Sequence, residues 1–169
     1  MLAKDTIRDL MLKECDICLH LYEKVPAGTM DYRPTPGQRS TAELLKYLSY
    51  CAIGGSRTFQ AGDWDPYRQV AQRAESETPE DFPAAMARQK EELTAFFDGL
   101  TQDELENTEV QSPLGETMPL EEALVSMPLH WMVAYRMQLF LYAKQAGNEE
   151  IWTPNLWGGI DRERPAPAQ

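Results

Sequence analysis

Ile7, Leu10, Met11, Cys18, Leu21 and Val25 recur at steps of three and four residues. Side chains so spaced share one face of a helix, which predicts a first amphipathic helix over residues ~5 to 24, closed before Pro26 and Gly28. Pro26 to Arg39 carries Pro34, Pro36 and two glycines and reads as a connector. Ser40-Thr41-Ala42-Glu43 has the form of a capping box, in which the hydroxyl and the carboxylate each bond a backbone N–H that the first helical turn leaves free. With Leu44, Leu45 and Leu48 directly after it, the box predicts a second helix running to about Ala61 and stopped by Gly62. Tyr47 and Cys51 share a face of that helix. Gly54-Gly55 lies inside it, where each glycine costs about 1 kcal/mol relative to alanine, so the pair marks either a local break or the close approach of another helix.

Asp63 to Glu77 is polar and reads as a connector holding Trp64, Pro66 and Tyr67, with room for a helical turn of its own. Thr78-Pro79-Glu80-Asp81 combines a cap, a proline and two acids, all favourable at a helix N-terminus, and predicts a third helix. It carries Phe82, Met86, Leu93, Phe96 and Phe97 inward and stops near Gly99. Thr101 to Glu104 repeats the capping pattern over a short helical turn, and Val110 to Gly115 reads as an irregular loop or a brief extended pair.

Pro119, Glu121 and Glu122 open the fourth helix, which closes with Lys144 in its last turn and Gly147 after it. Met127, Trp131, Val133, Tyr135, Leu139 and Tyr142 give this helix more apolar breadth than a single stripe, and Pro128 predicts a kink. Trp131 and Tyr135 stand four residues apart, one above the other on one face. Trp152 and Trp157 are expected to pack on the bundle. With no strand pattern competing, the fold class is all-α, a four-helix bundle with long crossover connections; residues 1–163 form one domain and 164–169 a disordered tail.

The net charge of −11 removes electrostatic attraction to phosphate backbones and anionic bilayers, so neither nucleic acid nor a membrane is an expected partner. No apolar run reaches membrane-spanning length, and Lys4, Asp5, Arg8 and Asp9 interrupt any secretory core, which points to the cytoplasm. Cys15, Cys18 and Cys51 are an odd set with no second pair to complete a zinc ribbon. Cys15-x-x-Cys18 followed by His20 invites a redox or metal reading, but it lies within an evenly periodic helix and not at a helix start after a strand, which favours core packing by reduced thiols.

Asp31-Tyr32-Arg33-Pro34 with Gly37, then the box at Ser40 with Glu43-Leu44-Leu45 and the position of Tyr47, then Tyr135-Arg136-Met137-Gln138 and Gly147, resemble the DinB/YfiT-like four-helix proteins. In members with a metal site, the resemblance implies a His where Tyr47 stands and an H-x-x-x-H-R-G-Q motif in the register of Trp131 to Gln138, the histidines holding a divalent cation. Here those ligands are Tyr47, Trp131 and Tyr135; Arg136 and Gln138 remain as structural motif residues, and Met137 replaces the glycine. An indole has no lone pair for a metal, and a phenol with a pKa of ~10 is a poor ligand at neutral pH, so no metal cofactor is expected.

The favoured reading is therefore a member that has lost its metal site and is more a binding or structural bundle than an enzyme. Tyr47, Trp131 and Tyr135 then form either packed core or a pocket for a small molecule, with Tyr50 and Cys51 as further lining. The alternative implied by the resemblance is a divalent-metal-dependent transferase of low-molecular-weight thiols, or a hydrolase, with zinc or nickel at a divergent site around His130 and His20. His130 is one position off the register, and catalytic zinc wants three protein ligands. A homodimer is the expected partner state, through the apolar run Leu139 to Tyr142, with Arg136 and Gln138 bonding a neighbouring connector or the partner backbone.

Overall fold

In the computed structural model, which describes residues 2–112 and 115–165, helix α1 (Lys4–Tyr22) turns Ile7, Met11, Cys15, Cys18 and Leu21 inward. Leu10 is 42% exposed, contrary to the periodic reading: Met11 holds the centre of the buried face, and its neighbour is turned about 100° away on a regular helix. α2 (Thr41–Leu48) starts at the expected box, with Glu43 N–H donating to Ser40 Oγ at 3.2 Å and Ser40 N–H to Glu43 Oε2 at 2.7 Å. The connector feeds the same start, since Thr41 N–H donates to Tyr32 O and Ala42 N–H to Met30 O.

The expected second helix is two helices. α2 stops at Leu48 and α3 (Cys51–Ala61) resumes after Ser49 and Tyr50, ahead of the glycine pair. The buried side chain of Gln89 spans the gap: its Nε2 donates to Leu48 O at 2.8 Å, and its Oε1 accepts from Ala52 N–H at 3.2 Å and Ile53 N–H at 3.4 Å. One amide thus serves a carbonyl at the end of α2 and N–H groups at the start of α3, which helix ends otherwise leave unpaired. The glycines mark a close approach. A Cβ on Gly54 would stand 2.9 Å from Val70 Cγ2 and 3.0 Å from Tyr67, and one on Gly55 would stand 2.8 Å from Trp131 Cζ3 and 2.9 Å from Pro128 Cγ. Gly62 then ends α3 in the left-handed conformation, φ 75°.

The polar stretch after Gly62 contains a full helix, α4 (Asp65–Ala74), where at most a helical turn within a connector was expected. Only Val70 and Ala74 are buried along it, so its apolar signal is thin. A 3₁₀ turn at Pro79–Asp81 leads into α5 (Phe82–Asp98), and a box at Thr101 opens α6 (Gln102–Asn107). β1 (Glu109–Gln111) and β2 (Thr117–Pro119) form a short antiparallel pair with Val110 opposite Met118. α7 (Leu120–Leu124) passes through a π-helical turn, Val125–Leu129, into α8 (His130–Gln145). Pro128 lies in that turn; the irregularity expected of a proline without an N–H is absorbed as a wider turn.

Lys4 Nζ donates to Phe97 O, and the Tyr22 and Phe82 rings meet at 5.3 Å, so α1 and α5 are antiparallel. Leu2 N–H donates to Glu121, Glu14 meets Arg136, and Asn148 donates to Lys24 O, so α1 and α8 are parallel. α2 and α3 descend against α8, from Tyr47 beside Tyr135 to Gly55 beside Pro128. The order is up, down, down, up, and α4 is the crossover that lets α3 and α5 run the same way. A short α9 (Thr153–Gly158) closes the far end against α1.

Trp152 is half-buried, its indole N–H donating to Arg162 O, whereas Trp157 is 55% exposed, with its ring 4.8 Å from the Arg136 guanidinium carbon. The predicted tail falls mostly on residues outside the described ones; Arg164, at its start, donates to Glu149 O. Among the described residues no helix is long and apolar enough to cross a membrane.

Candidate functional site

Tyr47 comes from α2, Tyr50 from the gap before α3, Tyr67 from α4, and Trp131 and Tyr135 from α8. Their rings form a continuous series. Tyr135 and Tyr47 are 4.6 Å apart between centroids, Tyr47 and Tyr50 5.7 Å, Tyr50 and Tyr67 5.6 Å, and Tyr67 and Trp131 6.3 Å, mostly edge to face. Trp64 extends the series outward, 5.5 Å from Tyr67. These spacings are those of aromatic contact pairs, worth about 0.5–1.5 kcal/mol each beyond their buried area. All five inner rings are half-buried, so the cluster is a shelf at the bundle surface, neither sealed core nor closed pocket. The bare faces of Gly54 and Gly55 let Tyr67 and Trp131 approach α3 this closely.

Arg39 lies over the shelf. Its guanidinium carbon stands 4.4 Å from the Tyr47 centroid and 5.3 Å from that of Tyr135, and Nη1 donates a long bond of 3.5 Å to the Tyr135 hydroxyl. The backbone carrying it is fixed from α8: the Tyr142 hydroxyl donates to Arg39 O at 3.0 Å and itself accepts from Gln138 Nε2. Gln138 therefore acts on the shelf at second hand. Burial pushes the phenols of Tyr47, Tyr50 and Tyr67 above their ordinary value, with the Cys51 thiol adding to the shift at Tyr47 and Tyr50, and neighbouring Tyr47 adding to it at Tyr67. They stay protonated at neutral pH as O–H groups, not phenolates.

The other sequence candidates lie apart from the shelf. Cys51 is fully buried beneath it, its Sγ 3.4 Å from Met132 Sδ, so it lines nothing open; burial raises its thiol, as it raises that of Cys15 to about 12. All three cysteines are free and buried. His130 is exposed and lines a groove of about 370 Å³ with Leu2, Pro119, Glu122, Val125 and Ser126. His20 sits at the opposite end of the parallel α1/α8 pair, its Nε2 3.0 Å from Asn155 Nδ2 and 3.8 Å from Asp161. The two histidines therefore do not share a site, and among the described residues no three His, Cys, Asp or Glu side chains converge as metal ligands. Arg136 is 1% exposed: Nε stands 3.0 Å from Glu14 Oε2, though its N–H is not aimed at that oxygen, and Nη1 donates to Leu156 O at 2.8 Å. It anchors α9 within the same chain. Leu139, Phe140 and Tyr142 are buried inside the protomer, and of that run only Leu141 is exposed, so the apolar breadth of α8 is largely used internally.

Tyr67 and Arg39 were not singled out from sequence. Tyr67 lay in a stretch whose polarity hid a helix, and Arg39 precedes the cap in a proline-rich connector, where no periodicity assigns a direction to a side chain.

The crystal structure of a DinB-like protein, YjoA from Bacillus subtilis, superposes on this chain with a TM-score of 0.67 and 20% sequence identity, over 84% of this chain and 92% of that one. The fold is DinB-like. No family model and no curated relative matches the chain. Of the three positions that the sequence resemblance singled out, Tyr47 and Tyr135 touch, and Trp131 stands one turn from Tyr135 on α8.

Proposed function

We propose that this DinB-like bundle works without a metal, as a small-molecule-binding protein whose site is the aromatic shelf. The observation that carries the reading is the convergence of Tyr47, Tyr50, Tyr67, Trp131 and Tyr135 from α2, the gap before α3, α4 and α8 into one half-buried surface with a cation above it. A surface of that kind offers large rigid contact area together with phenol and indole donors. It offers no neutral imidazole and no carboxylate pair, so it lacks the groups that metal-assisted hydrolysis or thiol transfer would need. The surface is open to solvent on one side, which suits reversible binding.

The test is 5-fluorotryptophan labelling with fluorine NMR against a chemically varied fragment set, with metal analysis of the same preparation. A saturable shift of the Trp131 resonance, with a matching rise in melting temperature, is expected, because a ligand that prefers the folded state stabilises it by mass action. No shift from any fragment, or one equivalent of zinc or nickel retained through purification, would overturn the reading.

A further inference from the structure

The shelf already holds a cation, and that cation belongs to the chain. The Arg39 guanidinium covers the faces of two rings, at 4.4 Å and 5.3 Å, both within the ~6 Å over which a ring quadrupole attracts positive charge. Among the described residues its side chain meets Tyr47 and Tyr135, the Glu43 carboxylate acts on it only through space and without a direct ion pair, its one hydrogen bond to the protein is long, and the residue is exposed. What holds it in place is therefore mainly the ring faces. Because it is exposed, it can leave them for water without stranding a buried charge.

We propose that the shelf binds organic ammonium ions, and that a quaternary or methylated ammonium group takes the ring faces that Arg39 covers. This rests on the small-molecule reading above and names its ligand class. A quaternary ammonium has no N–H to satisfy, so a site made of ring faces suits it better than a primary amine, which would call for a carboxylate that the shelf lacks. Its charge is spread over methyl groups, and it sheds water far more cheaply than a divalent metal ion. The phenols contribute as neutral rings, and the chain's charge of −11 enriches cations at its surface. Arg39 then works as a built-in competitor that keeps the faces covered until a better-fitting cation displaces it.

Choline is the probe, and 3,3-dimethylbutan-1-ol, with the same shape and no charge, is the control; both are titrated against the fluorotryptophan-labelled protein. Choline is expected to shift the Trp131 resonance saturably and the neutral alcohol to bind at least tenfold more weakly. Arg39→Ala, at an exposed position, is expected to tighten choline binding roughly fivefold to tenfold by removing the competing cation. Tyr47→Leu is expected to weaken it by a similar factor, with circular dichroism and melting temperature confirming that the variant is folded. Equal binding of choline and the alcohol would overturn the cation inference while leaving the small-molecule reading intact. Weaker choline binding in Arg39→Ala would overturn it as well, since Arg39 would then be a contact and not a competitor. Absence of choline binding to both wild type and Arg39→Ala would also overturn it, and the fragment screen would decide the broader reading separately.

Discussion

Replacing Gln89 by methionine keeps the length and most of the volume of the side chain, so little cavity is left, and removes its bonds to Leu48 O, Ala52 N–H and Ile53 N–H. The residue is fully buried, so water cannot take over those bonds. The Leu48 carbonyl and the Ala52 N–H are the two well-formed partners; the Ile53 contact at 3.4 Å is marginal and is left out. Stranding a buried backbone group costs about 1–3 kcal/mol, so Gln89→Met, which strands two, should lose about 2–6 kcal/mol. That is a large share of the roughly 5–15 kcal/mol holding a typical domain together. For a chain of this size it corresponds to a fall in melting temperature of roughly 4–24 °C. Urea unfolding followed by circular dichroism measures it. Gln89→Glu adds a sign: burial raises the folded pKa of the new carboxyl above its unfolded value, so that variant should be most stable in mild acid and lose stability as pH rises through the folded pKa. A Gln89→Met cost below about 1 kcal/mol would show that the gap between α2 and α3 is self-sufficient and that the bridging argument is wrong.

Gly55→Ala gains about 1 kcal/mol of helix propensity but drives a methyl into Trp131 and Pro128, two rigid rings, at an overpacking cost of about 1–3 kcal/mol. The expected net is destabilisation, read as a lower urea midpoint; Gly37→Ala, where an added Cβ meets nothing within 4 Å, is the control, and a Gly55→Ala as stable as wild type would refute the close approach. Arg136→Met leaves the Glu14 carboxylate buried without its partner and should cost about 3–5 kcal/mol, most of which Glu14→Leu in the same chain should restore; failure of the double variant to recover would mean that the bond to Leu156 O matters more. Burial lowers the His20 pKa below its usual value near 6.5, against the pull of Asp161, so its contribution to stability is present above that pH and is lost as pH falls through the lowered folded pKa. The melting temperature should therefore fall in mild acid more steeply in wild type than in His20→Gln, and equal slopes would contradict the assignment. Burial also raises the Glu14 pKa, which acts in the opposite direction, so the difference between the two proteins isolates His20.

Helix starts were legible because caps are local. Ser40, Thr78 and Thr101 each bond within three residues, and no tertiary information is needed to place them. The break after Leu48 was not legible, since what stabilises it is Gln89, about forty residues away and on another helix. Glycine's meaning was legible only as a choice between a break and a contact; the rings opposite Gly54 and Gly55 decide it, and they come from α4 and α8. The placement of Tyr47, Trp131 and Tyr135 on neighbouring faces followed from helical spacing and from the family resemblance, whereas Arg39 depends on the path of a connector and Tyr67 on a helix with two buried side chains. Trp157 was expected to pack on the bundle, yet it is more than half exposed, with its ring against the Arg136 guanidinium.

That α4 packs closely on α3 yet fully buries only Val70 and Ala74 has a kinetic consequence. An element that seats Val70 and Ala74 while Trp64, Asp65, Arg68 and Gln69 face water opens at lower free energy than α1, whose inner face is buried along its whole length. Its amides should therefore exchange with solvent deuterium by local opening while those of α1 wait for global unfolding. Each opening withdraws Tyr67 from Tyr50 and Trp131 and splits the row of rings in two. Occupancy of the shelf is then legible in the exchange rates of residues 65–74, which a bound molecule spanning Tyr67 would slow without altering exchange in α1.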